Sequence, residues 1–305
     1  MDVFAPQNKG MQRFHNASLA FALTLVGWGV SAFFAMSYTV YIIIKLSLSF
    51  FTANGLVNHP EVAEAFYFQV FAVEGIFFFM LVLGFLGVGT MAFIFSNSQF
   101  NYFKRLGDAL SEYAETHTMP NLKNLGPFGR HAAIFIEVVT LRMDRKGDEA
   151  IQSKLTEAAK FWPTRPHISW TDQAQFAAVA TLIAGFFSML SLIFFWKITD
   201  RMVDLSGQLI RYKAVTGPLF FNAQTDIITF VMWTIFAIMN LAFAVTGFRF
   251  GRRISQASYA VLRDLRRFMQ GNLDHRVVLR GDDPAQVILP QVNEALDRLA
   301  AQIKS

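Results

Sequence analysis

The 305-residue chain is 53% hydrophobic, 15% aromatic and only 16% charged, with a formal net charge of +5 and a mean hydropathy of +0.36. Soluble globular chains average near 25% charged residues, so this composition points to an integral membrane protein. The absence of cysteine excludes disulfides, thiolate metal sites, cysteine-held iron–sulfur clusters and cysteine nucleophiles.

Four apolar segments follow in chain order, at about 17–48, 66–96, 174–197 and 225–249. Each reaches the roughly 20 residues a helix needs to cross about 30 Å of hydrocarbon. Lipid leaves no partner for unpaired backbone groups, so the segments are expected to be helices and the fold all-α. The N-terminal stretch, the loop 97–172 and the tail 249–305 hold 22 of the 27 Lys and Arg residues. That asymmetry predicts cytoplasmic termini and a cytoplasmic middle loop.

Arg13 and His15 precede the first span, and Arg165 and His167 precede the third. Both pairs suit lipid phosphate at the interface or a pH response, with plain snorkelling as the simpler reading. Glu74 in the second span and Asp226 at the start of the fourth stand out as acids in or beside the spans. They are candidates for a proton or cation pair, or for two residues at the outer interface. Gly84, Gly87 and Gly89 allow close helix approach, and Asn240 suits an interhelical hydrogen bond. The stretch 198–213 after the third span is amphipathic and suits the outer membrane surface. No spacing of histidines fits a metal site, and no phosphate-binding loop, nucleophile elbow or kinase block is present.

The two halves of the chain match at an offset of about 152–155 residues. RFH at 13–15 faces RPH at 165–167, Lys45 faces Lys197, and Glu74 faces Asp226. Beyond the spans, A-x3-I-x2-V-x3-M-D-R at 132–145 faces A-x3-L-x2-V-x3-L-D-R at 285–298. The expected unit is a membrane hairpin followed by helix, connector and helix, occurring twice in parallel. Residues 1–146 form the first repeat, 147–172 a return linker with an amphipathic helix at 149–161, and 173–305 the second repeat.

After the fourth span, Ile254, Ser258, Val261, Leu265 and Phe268 recur at steps of four and three, as do Ala285, Leu289, Val292, Leu296, Leu299 and Ile303. These are bundle seams. Gly271 ends the first helix, Leu273 and Val277 are apolar anchors in a polar connector, and Asp283-Pro284 reads as N-cap and first helical residue. In the first half Phe103, Leu106, Leu110, Tyr113 and then Ala132, Ile136, Val139, Met143 keep the same spacing, over a connector two residues longer.

The G-x-L-x3-V connector at Gly271, Leu273 and Val277, RGDD at 280–283 and VNEALDRL at 292–299 resemble a HAMP domain. HAMP domains are the parallel four-helix linkers of bacterial chemoreceptors and sensor kinases. The segment 97–146 resembles the family in outline, without that connector signature. Here Pro284 stands where the family has an acidic residue, Arg252-Arg253 stand where it often has proline, and Pro290 is expected to bend the second helix. HAMP modules dimerise, so two copies in one chain imply pairing within the chain.

The resemblance implies a non-enzymatic, multi-pass protein of the bacterial inner membrane. It would pass movement of its spans to a separate membrane or cytoplasmic partner, with no cofactor and no nucleic acid, and with homo-oligomers open. The alternative is an accessory subunit of a larger membrane complex that uses a locked bundle as a docking surface. A transporter comes third, because the repeats are parallel and polar groups within the spans are few.

Overall fold

A computed structural model describes residues 5–53, 55, 64, 68, 74–145, 147–161, 170–210, 217–280 and 283–305. Among them there is no strand. The helices are α1 (Ala5–Ala53), α2 (Glu74–Thr116), α3 (Gly129–Met143), α4 (Asp148–Phe161), α5 (Trp170–Ile210), α6 (Gly217–Met269) and α7 (Leu289–Lys304). Two 3-10 segments, Leu122–Phe128 and Pro284–Ile288, lead into α3 and α7. Four stretches are long and apolar enough to cross a membrane: His15–Ala53, Val82–Thr116, Ala174–Leu205 and Ala223–Met269.

The chain divides into two compact units. The first, called here the bundle unit, is Met1–Phe21, Phe93–Phe176 and Phe248–Ser305; the second, the apolar unit, is Ala22–Ala92 and Ala177–Gly247.

In the apolar unit α1, α2 and α5 meet through aromatic rings. Phe33 lies 6.4 Å from Phe85 and 5.6 Å from Phe195, and Phe85 lies 4.3 Å from Phe187, centroid to centroid. Gly84 makes room for this cluster, because a Cβ there would fall 2.7 Å from the Phe187 ring. Gly89 faces Val26, whereas Gly87 has open space. The buried hydroxyls of Ser188 and Ser191 donate to carbonyls one turn back, which satisfies them without a partner helix. Ser47 of α1 donates to Gln224 of α6 at 3.2 Å, with both residues buried. Asn240 donates to Phe236 of its own helix. Leu23, Phe34, Leu182, Phe186, Phe230 and Leu241 are exposed, as side chains facing lipid tails would be.

Two expectations change here. Helix α5 continues through Ile210 with no break after the apolar run, so the amphipathic stretch at 198–210 extends the third helix instead of forming a separate surface segment. Asp200 and Asp204 therefore also lie on a span-forming helix. Pro290 is the second residue of α7, behind the 3-10 turn. A proline in the first helical turn gives up an N–H that has no helical partner there, so it starts the α-helix and does not bend it.

Replacing Gly84 with Val is expected to destabilise the apolar unit by about 1–3 kcal/mol through overpacking. Thermal unfolding of the purified protein in mild detergent checks this. A Gly87→Val control should cost far less, and equal losses at both positions would contradict the packing described.

Candidate functional site in the helical bundle

The bundle unit begins with an aromatic cluster. Phe250 lies 4.3 Å from Phe21, 5.7 Å from Phe176 and 6.0 Å from Phe100. Ser18 and Ser96, both buried, share a 2.9 Å hydrogen bond beside it.

Beyond it, α2 and α7 run side by side in the same direction. Gln291 donates to Asp108 at 2.8 Å, and Arg298 bonds Glu115 one heptad further along both helices. A constant offset of 183 residues at both contacts is possible only for parallel helices. Phe135 of α3 meets Phe268 of α6 at 5.9 Å, and α3 packs against α7. Helix α4 covers the outside of α3, with Ile151 and Ala158 buried and Lys154 bonded to Glu137 at 2.7 Å. The seam residues Phe103, Leu106, Leu110, Tyr113, Ala132, Ile136, Val139, Ile254, Val261, Leu265 and Phe268 are buried; Met143 and Ser258 are half-buried. Tyr113 and Thr140 join α2 to α3 through a 2.6 Å hydroxyl pair.

Each long helix ends inside this bundle, where its last carbonyls need donors. Arg142 of α3 donates through Nε and Nη2 to the Met269 carbonyl at the end of α6, at 3.2 and 2.9 Å. Gln302 of α7 donates to the Ala114 carbonyl at the end of α2, at 3.1 Å. The caps are crossed, with the second helix of each half closing the first helix of the other. Both long helices then leave through a left-handed residue. Gly271 has φ +105, with its N–H bonded to Phe268 and the Asn272 N–H bonded to Arg267, a Schellman end. His117 has φ 56, with its N–H bonded to Tyr113.

The connector residues 272–280 are held by polar side chains, one of them fully buried. Asp264 of α6 is 1% exposed, which demands strong partners for a carboxylate. Arg263 donates to it at 2.7 Å, the Val278 N–H at 3.1 Å, and His275 Nε2 stands 3.1 Å away. Asn293 of α7 accepts from the Val277 N–H at 2.9 Å and donates to the Val277 carbonyl at 3.1 Å, as a neighbouring strand would. Arg276 bonds Asp297, and Lys304 bonds Asp274 at 2.8 Å. The connector 117–128 has fewer such ties: Arg105 donates to the Asn124 carbonyl at 3.0 Å, and Phe128 packs 5.0 Å from Phe103.

Of the residues singled out in the sequence, Val277, Val292, Leu296 and Leu299 are buried, and Leu273 and Leu289 are half-buried. Asp283 is extended and accepts from the Ala285 N–H at 2.9 Å, with Pro284 next. His15 is exposed and stacks 6.2 Å from Phe93, and Asp226 is exposed. Arg13 and Glu74 lie in α1 and α2, but their side chains are outside the described residues, as are Arg165 and His167 entirely. Asp264 and Asn293 were missed by the sequence reading. Asp264 falls one residue off the apolar seam, and Asn293 lies within VNEALDRL with nothing in its spacing to mark a partner. No group of three His, Asp or Glu able to hold a metal occurs among the described residues. No family model, curated protein or solved structure matches the chain.

A left-handed residue with a Cβ is strained by about 1 kcal/mol or more relative to glycine. His117→Gly is therefore expected to raise the melting temperature, and Gly271→Ala to lower it by a similar amount. Thermal unfolding reads both, and opposite signs would refute the helix ends described.

Burial, and secondarily the charge of Arg130, push the His131 imidazole below its ordinary value of about 6.5. The folded chain then binds fewer protons at this site than the unfolded chain. The stability is present above the unfolded value and is lost as the pH falls through it toward the folded one. His131→Gln is expected to flatten the fall in melting temperature between pH 8 and pH 5.5. An unchanged slope would show that His131 is not responsible.

Proposed function

We propose that this chain is a non-enzymatic inner-membrane adaptor or signal transducer. Its two halves form parallel tandem repeats, and their HAMP-like modules pair within one chain into a pseudo-dimer with cytoplasmic termini. The observation that carries the reading is the crossed capping, Arg142 on Met269 and Gln302 on Ala114. The closed ends Ala114 and Met269 stand 155 residues apart, at the repeat offset, so each half closes the equivalent helix end of the other, although the donors Arg142 and Gln302 stand 160 apart and are not equivalent residues. The left-handed ends His117 and Gly271 support it, because they stand at one common offset of the proposed repeat. Helices α2 and α6 are unbroken from their apolar stretches to these ends. On this reading a partner that grips the bundle receives movement of the spans.

The heavily tied second connector favours a second reading, an accessory subunit with a static bundle. Asp264, Asn293, Arg276 and Lys304 each fasten that connector to a helix.

The chain has no cysteine, so a pair introduced at Asp108 and Gln291 is the only reactive pair present. A short bifunctional thiol reagent is expected to link them within one chain, with the link found by peptide mapping and the protein remaining monomeric on denaturing gels. Predominant cross-linked dimers would overturn the single-chain pseudo-dimer. Complete linkage at this pair favours the static reading, and partial linkage that changes with a bound partner favours signalling.

A further inference from the structure

The bundle unit is cationic at one end and mixed in charge at the other. No Asp or Glu occurs in residues 96–107, 116–136 or 248–263. Acids return further along the same helices, as Asp108, Glu112 and Glu115 on α2, Glu137 on α3 and Asp264 on α6. The acid-free stretches meet in space. Phe100 of α2 lies 6.0 Å from Phe250 of α6, and Phe103 lies 5.0 Å from Phe128, the residue before α3.

Beside these rings α6 exposes Arg249, Arg252 and Arg253, and α2 exposes Lys104 and Arg105. The Arg105 bond to the Asn124 carbonyl brings exposed Lys123 to the same corner, and exposed Arg130 follows just after Phe128. No carboxylate pairs with Lys104, Lys123, Arg252 or Arg253 among the described residues. Asp283, before α7, is engaged as the cap on the Ala285 N–H.

Position along α6 decides what these cations face. Residues 227–248 are uncharged and rise about 32 Å, enough to cross about 30 Å of hydrocarbon. Arg249 then falls where hydrocarbon gives way to headgroups. Arg252 and Arg253 follow about 5–6 Å further out, within a headgroup layer about 5–8 Å thick. Lys104 lies about 6 Å along α2 from Phe100, whose ring neighbours Phe250, so it reaches the same layer. A protein surface turned to water mixes both signs of charge. Cations with no acid among them suit lipid phosphate, and arginine can take it through two parallel N–H bonds.

We propose that this cationic end of the bundle unit binds anionic phospholipid headgroups, those of phosphatidylglycerol or cardiolipin, with its guanidinium and ammonium groups on the phosphodiester anions. The proposal holds whether the bundle moves or is static.

The test is native mass spectrometry of the full chain from detergent micelles doped with equal amounts of phosphatidylglycerol and phosphatidylcholine. Phosphatidylglycerol is expected to be retained about tenfold over phosphatidylcholine. Lys104→Gln with Arg252→Gln, one cation from each long helix, should lower that ratio about fivefold. Arg145→Gln with Lys304→Gln makes the same charge change at exposed positions of the other end, and should leave the ratio within about twofold. Equal retention of the two lipids by the unchanged chain, an unaltered ratio in the first double variant, or an equal fall in the second would each overturn the assignment. Free pyrophosphate that raises the melting temperature of a chain without lipid preference, but not of the first double variant, would show that the cations serve a soluble anion instead.

Discussion

The ends of the two long helices govern the bundle unit. A helix that stops inside protein leaves its last carbonyls without donors, and leaving them bare costs far more than one good hydrogen bond gains. Here the donors come from elsewhere in the chain. Arg142 serves the end of α6, and Gln302 serves the end of α2. Each donor is correctly placed only when the four helical segments lie parallel and in register. Register is set again by Asp108 with Gln291 and Glu115 with Arg298, one heptad apart. The apolar seams provide the driving force, and the caps decide which segment lies beside which.

The same economy appears at the second connector. A segment without helix or strand of its own must find partners for its backbone. Asn293 supplies both a donor and an acceptor to Val277, and Asp264 takes the next N–H. A carboxylate buried to 1% exposure tolerates that position because Arg263, His275 and a backbone amide surround it. Removing any one would leave the rest of the cluster underpaired, so the connector, the end of α6 and the middle of α7 behave as one piece. On the proposed reading, this piece either moves as a unit between two packings or serves as a rigid grip.

The apolar unit solves a different problem. Its helices satisfy their own backbones, and its serines turn inward to their own carbonyls. Side-chain shape therefore decides the contacts. Phenylalanine rings fill the space between helices, and Gly84 allows one of them close to a neighbouring backbone.

Much was legible in the sequence for reasons of period and composition. Runs of apolar residues gave the long helices, because lipid leaves a backbone no other option. Spacings of three and four marked the seams, since they recur on one helix face whatever lies opposite. Gly271 and Asp283-Pro284 were readable because helix ends have local chemistry. Other features escaped because they depend on what faces a residue. Asp264 looks like any surface acid until the connector folds over it, and Asn293 like a polar position until Val277 lies alongside. The expected bend at Pro290 is absent because residues Pro284–Ile288 form a 3-10 turn that no pattern announces, which puts Pro290 in the first turn of α7. Arg142 and Gln302 carry no mark of their task, since a side chain's partner 127 or 188 residues away is chosen only when the bundle closes. The sequence by itself determined which segments are helical and which faces are apolar, because those follow from neighbours along the chain. The tertiary structure decided which helix ends are capped by whom, because that depends on distances that exist only after folding.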